Sequence, residues 1–149
     1  MTKVHRKVEY ALMAFKHMAS KPKGELTTAK EISVLYGCSF AAMSRVLQNL
    51  AQARILKSEQ GVSGGYMIFR DLGELTFFDL IVLLVGPLEI AKCLQSPVAQ
   101  CAIRQQCNIY SPIHTLNRRM EDFYRQLKVA DLLWSANEPA RSARNMEIA

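Results

Sequence analysis

Between Thr28 and Leu50 the chain carries two short helix signals separated by a turn that neither helix can cross, and this pair limits the fold more than any other stretch. Thr28-Ala29-Lys30-Glu31 has capping-box spacing: the threonine hydroxyl accepts from the backbone N–H near Glu31 while the glutamate reaches back to the cap. A helix is expected from about Ala29, burying Ile32 and Leu35, and Gly37 suits the left-handed residue that ends it. Ser39 then caps a further helix in which Met43, Val46, Leu47 and Leu50 recur at i, i+3, i+4 and i+7. The opposite face carries Ala41, Ala42, Ser44, Arg45, Gln48 and Asn49. Two short helices around such a turn, the second small and polar on its outer side, form a helix-turn-helix that presents this face to a DNA major groove. Small residues let the backbone approach the base edges, where Arg45 suits guanine and the amides of Gln48 and Asn49 suit bases or phosphates.

The flanking sequence completes a winged domain. Val8, Leu12, Phe15 and Ala19 share one face of a helix expected over His5 to Ser20, and Lys21-Pro22-Lys23-Gly24 breaks it. Ile55 to Ser58 reads as a strand, Glu59 to Gly65 as a turn and Tyr66 to Phe69 as a returning strand. In that turn Gln60 and Ser63 join Ser39 and the outer face of the second helix as candidate DNA contacts. Thr76 and Asp79 cap another helix that Gly86-Pro87 ends. Because it is apolar all round, it is expected to be buried, in the core or under a partner subunit.

Charge supports a polyanionic partner. Residues 1–70 hold eleven Lys and Arg against four Asp and Glu, whereas 71–149 hold eight against nine, so the net charge of +6 sits in the first half. With 149 residues, half of them apolar, one domain plus an extension is expected. The divisions are 1–86 (winged helix), 87–110 (cysteine segment), 111–134 (a long helix and a short one after it) and 135–149 (a polar tail). No run of apolar residues is long enough to span a membrane and the N-terminus lacks a signal-type core, so a cytoplasmic protein is expected. There is no glycine-rich phosphate loop, nucleophile–base constellation or metallohydrolase motif, which argues against an enzyme.

Three of the four cysteines, Cys93, Cys101 and Cys107, lie at intervals of seven and five intervening residues in a segment broken by Ser96-Pro97. In a reducing cytosol, metal ligation or redox chemistry explains them better than disulfides. Three thiolates on short flexible spacers can converge on an iron-sulfur cluster and leave one iron for another ligand; ordinary thiols are the alternative. Cys38 reads as a small buried residue, and His5 and His17 as surface residues. Ser111-Pro112 is expected to start a helix whose Ile113, Leu116, Met120, Phe123 and Leu127 make a packing seam, either between two subunits or against its own core. A two-fold dimer is favoured because helix-turn-helix proteins read paired half-sites.

Glu9-Tyr10-Ala11-Leu12, Ser39 to Leu56, Gly61 to Tyr66 ending in Gly-Gly-Tyr, and the three downstream cysteines before a long helix together resemble the bacterial winged-helix family of iron-sulfur cluster regulators, the IscR/NsrR/RirA type. The resemblance runs over about residues 3 to 134. It implies a mainly α fold with a small β-hairpin: a winged helix-turn-helix DNA-binding domain plus a long C-terminal dimerisation helix. It further implies a homodimer on a roughly palindromic operator, a repressor sensing iron, nitric oxide or redox state, and a cluster on the cysteine loop, [4Fe-4S] favoured over [2Fe-2S], that aerobic preparation can leave absent; the alternative is a cluster-free member of the family that acts by thiol oxidation or by binding a protein partner. The cysteine spacing of seven and five departs from the common five and five and is similar to the iron-regulator branch. Tyr110 stands where one branch has a histidine ligand. Glu9 matches an acidic ligand that another branch supplies from the partner subunit, which makes it the candidate fourth ligand, with His114 second. Gln60 replaces the family's wing arginine and Ser44 an acidic recognition-helix residue, so the operator is expected to differ.

Overall fold

Local hydrogen bonds close most helix starts as the sequence dictates. In the computed structural model, which describes residues 3–95 and 101–135, the chain forms α1 (Arg6–Ala19), α2 (Ala29–Tyr36), α3 (Phe40–Gln52), β1 (Leu56–Glu59), β2 (Gly65–Ile68), α4 (Phe77–Leu84), α5 (Tyr110–Gln126) and α6 (Val129–Leu133), with 3-10 turns at Lys92–Leu94 and Arg104–Gln106. Thr28 Oγ1 accepts from Glu31 N at 3.1 Å, and Thr76 Oγ1 accepts from Asp79 N at 3.0 Å, each with the reciprocal carboxylate bond of a capping box. Ser39 Oγ accepts from Ala42 N, and Gly37 ends α2 at φ 64°, a left-handed backbone that glycine adopts without steric cost. α5 differs from expectation: it begins at Tyr110, Ile109 holds the cap position without a side-chain bond, and Ser111 lies inside the helix. Pro112 is still in the first turn, where a missing N–H leaves no helical bond unmade.

The core gathers on α3. Met43, Val46, Leu47 and Leu50 are buried together with Val8 and Phe15 of α1, Ile32 of α2, Leu80 and Leu84 of α4, and Val129 and Leu133 of α6. Burial on α1 runs through Val8, Ala11, Ala14, Phe15 and Met18, so the expected face is rotated: Leu12 is half-buried and Ala19 exposed. Ala11 and Ala14, which carry no bulk beyond Cβ, are wholly buried on that side of α1. On α2 the buried edge is Ala29, Ile32 and Ser33, which turns Leu35 outward at 61% exposure, against expectation.

β1 and β2 pair antiparallel from Leu56↔Ile68 to Glu59↔Gly65, each strand shifted by one residue from its expected bounds. A further pair of backbone bonds, Thr27 N to Tyr66 O at 2.9 Å and Tyr66 N to Thr27 O at 2.8 Å, adds the chain entering α2 to the edge of this wing. That approach explains the Gly-Gly-Tyr sequence. A Cβ at Gly65 would stand 2.8 Å from the carbonyl oxygen of Thr27, and one at Gly64 would stand 2.4 Å from that of Glu59.

A polar clamp joins α1 to α2. Glu31 Oε1 accepts from Lys21 Nζ at 2.8 Å and lies 2.9 Å from His17 Nε2, while His17 Nδ1 meets the Tyr36 hydroxyl at 3.1 Å. His17 is therefore not the surface residue its isolated position in the sequence implied; its side chain is only 11% exposed. Burial works to raise the Glu31 carboxyl, but hydrogen bonds from Lys21 and His17 and the Lys21 charge outweigh it and hold the group below its ordinary value.

The end of α5 is stitched to the start of α4. Phe77 N donates to Leu127 O at 2.8 Å, Val129 N to Leu75 O at 2.9 Å and Ala130 N to Leu72 O at 3.1 Å. Leu127, expected on the seam, thus lies past the helix end and packs against the core. α4 buries Phe77, Leu80 and Leu84 but leaves Val82, Leu83 and Val85 exposed, so its burial in one chain is one-sided. Gly65→Ala is expected to lose about 1–3 kcal/mol in denaturant unfolding, because the displaced atom is backbone and cannot swing aside; unchanged stability would show that the wing edge yields.

Candidate nucleic-acid interface and sensor segment

Because α3 buries one face in the core, its periodicity leaves the other in solvent. Ala41, Arg45 and Gln48 are exposed, Ala42, Ser44 and Asn49 half-buried at the flanks, and Ser39 exposed at the cap. Arg45 makes no ion pair among the described residues. Gln60 and Ser63 are exposed in the wing turn, whose Val62 is fully exposed. A groove of about 410 Å³ runs along α3, and beside Ser39, Ala41, Ala42, Arg45, Val46 and Asn49 it is lined by Lys7 of α1. Lys7 was not singled out in the sequence. Only its place in a basic cluster with Lys3 and Arg6 hinted at it, since its position beside α3 depends on helix packing.

The cysteine segment is irregular, as expected. Cys93 lies in the first 3-10 turn, Cys107 caps the second, and Arg104 N donates to Cys101 O across the short loop between the other two thiols. All three thiols are free and half-buried. Among the described residues they are not drawn into one metal-ligand group with each other or with His, Asp or Glu; residues 96–100, between Cys93 and Cys101, lie outside the described chain. Cys93 lines a cleft with Glu89, Arg104, Tyr110, His114 and Glu121. There Arg104 lies 4.7 Å over the Tyr110 ring, and buried Asn117 accepts from Ile90 N at 3.1 Å, fixing the segment to α5. Glu9 sits apart on α1, bonded to Arg6 at 2.9 Å. Cys38 is half-buried, and His5 caps α1, its Nδ1 accepting from Lys7 N. The tail proposed from 135 onward falls almost wholly outside the described residues.

α5 is poorly covered. Of its seventeen residues only Asn117 is buried; Leu116 is 48% and Phe123 56% exposed, with Ile113 and Met120 half-buried. A helix with this apolar stripe in water lacks the burial that stabilises helices in proteins. No helix among the described residues is long and apolar enough to cross a membrane.

Comparison with known proteins agrees with this architecture. The family model described as Rrf2, iron-dependent transcriptional regulator, matches residues 4–135. The HTH-type transcriptional regulator NsrR of Shouchella clausii is 19% identical over 130 residues, covering 87% of each chain. Among solved structures, CymR, the global cysteine regulator of B. subtilis, superposes with a TM-score of 0.65 at 22% identity, over 89% of this chain and 97% of that one. IscR of T. potens superposes with a TM-score of 0.65 at 23% identity, over 97% and 94%.

The bare stripe on α5 yields a test of assembly. Leu116→Asp would place an unpaired charge in any interface formed there, so sedimentation is expected to show a dimer for the parent and a monomer for the variant. Equal sedimentation of the two would assign the stripe to the monomer.

Proposed function

The chain belongs to the Rrf2 family of iron-dependent transcriptional regulators, and from that membership we propose that it acts as a homodimeric repressor on a roughly palindromic duplex, answering to iron, nitric oxide or redox state through an iron-sulfur cluster. The family consists of transcription regulators, not enzymes. The observation that carries the DNA reading is the outer face of α3, small at Ala41 and Ala42 and polar at Ser44, Arg45, Gln48 and Asn49, exposed on the basic half of the chain. Two copies joined along α5 through Ile113, Leu116, Met120 and Phe123 present two such helices, which matches a two-fold operator. Gln60 and Ser63 then meet the sugar-phosphate backbone beside the reading helix.

The donor chemistry of the segment between α4 and α5 fits a thiolate-held cluster: Cys93, Cys101 and Cys107 are free, half-buried and carried on short turns. When bound, the cluster supplies iron that responds to oxidants, nitric oxide and iron supply. The chain's part is to hold it by three thiolates, with Arg104 offering a positive neighbour to their negative charge, and to tie the segment to α5 through Asn117. The fourth position falls to Glu9 from a second copy, which must first release Arg6, or to His114, which shares the Cys93 cleft. A second reading, a cluster-free regulator acting by oxidation of these thiols or by binding a protein partner, is favoured by the three cysteines not being gathered into one metal-ligand group among the described residues.

Arg45→Ala is expected to cost about 1–3 kcal/mol at one base position of the operator, measured by competition with single-substituted duplexes; equal affinities would remove Arg45 from the reading set. Anaerobically prepared protein is expected to be brown, with visible absorption lost in Cys93→Ala, Cys101→Ala and Cys107→Ala and retained but labile in Glu9→Ala. Protein that takes up neither iron nor sulfide yet binds its duplex would overturn the cluster and leave the thiol reading.

A further inference from the structure

The groove beside α3 assigns a role to a residue outside the helix-turn-helix. We infer that Lys7 binds a DNA backbone phosphate at the border of the major groove that α3 enters, and so sets the angle at which the recognition helix docks. This rests on the DNA-binding reading and adds α1 to the contact surface.

The geometry carries the inference. Lys7 is exposed and shares one groove with Ser39, Ala42, Arg45 and Asn49, the candidates for base and phosphate contact. No Asp or Glu lines that groove, and among the described residues Lys7 has no acidic partner, whereas its neighbour Arg6 is neutralised by Glu9. A helix about 10–12 Å across its side chains fills a major groove about 12 Å wide, so a cation flanking α3 meets the phosphates that border the groove, not the bases. The position is also costly to the isolated domain. Lys7 lies in the first turn of α1, where the helix dipole disfavours positive charge, and a nearby phosphate reverses that sign. A lone cation there improves binding and does nothing for folding.

The test uses full-length protein, one duplex selected by it from a randomised pool and one unselected duplex of equal length, with affinities measured over a KCl series. Lys7→Ala and Lys7→Gln are both expected to weaken binding to the two duplexes by the same factor and to flatten the log affinity against log salt slope by about 0.9 per bound protomer. Lys7→Arg is expected to restore both. An unchanged slope, a loss confined to the selected duplex, or an effect of the alanine variant not shared by glutamine would overturn the phosphate contact. Parent protein that binds neither duplex would overturn it together with the DNA reading itself.

Discussion

α3 carries the centre of the core on one side and a small, polar, solvent-facing surface on the other, and the rest of the domain follows from that double duty. Met43, Val46, Leu47 and Leu50 occupy one side of the helix and are almost wholly removed from water. Full burial of each such side chain stabilises by about 1.5–3 kcal/mol, enough to fix the helix's rotation about its axis. A helix so fixed has no freedom left for its other side: Ala41, Arg45 and Gln48 face solvent because the periodicity of the buried four leaves them nowhere else. The outer face is thereby preorganised, and the DNA binding proposed for it would not have to order it.

Around α3 the neighbours are fastened by bonds of different kinds. α1 docks through alanines that permit close packing, α2 through the His17–Glu31–Lys21 clamp, and the wing through backbone pairing of Thr27 with Tyr66. The last of these is indifferent to side-chain chemistry except at Gly65, where the opposing carbonyl excludes a Cβ. α5 is fastened differently again, by backbone bonds at its C-terminal end and by Asn117, which accepts from Ile90 N midway along it, and most of its apolar stripe is left exposed or half-buried.

Features that depend on a few adjacent residues were legible in the sequence: both capping boxes, the Gly37 terminus, the Ser39 cap, the buried stripe of α3 and the hairpin after it. What escaped was decided by the third dimension. Leu35 and Ala19 have the spacing of buried residues, but the rotation of α2 and α1 is set by the neighbours they meet, and that turned both outward. His17 looked like a surface residue because its partners, Glu31 and Tyr36, are fourteen and nineteen positions away. Leu127 continued the α5 spacing past the point where backbone bonds to Phe77 end the helix. At the candidate site, the solvent-facing side of α3 was legible in its periodicity, whereas the place of Lys7 beside it was not, since nothing local places α1 beside α3. The cysteine intervals were plain, yet spacing alone does not bring thiols together.

The stitching of residues 127–130 to the segment before and at the start of α4 holds the C-terminal end of α5 by three backbone bonds, whereas the rest of the helix has the single Asn117 tie to Ile90, so α5 is a lever with its firmest support at one end. Its pivot lies against the winged domain, and its other end follows directly on Cys107 and borders the cleft that Cys93 lines. Seventeen helical residues span about 25 Å, so a swing of roughly 5° about the pinned end carries the cysteine end through about 2 Å. Read in reverse, a displacement of that size at the thiols is geared down to a small rotation beside α4. Were two copies to pair along α5 as proposed above, that rotation would alter the separation of their two α3 helices, which duplex DNA, with its fixed helical repeat, would meet as a fit or a mismatch.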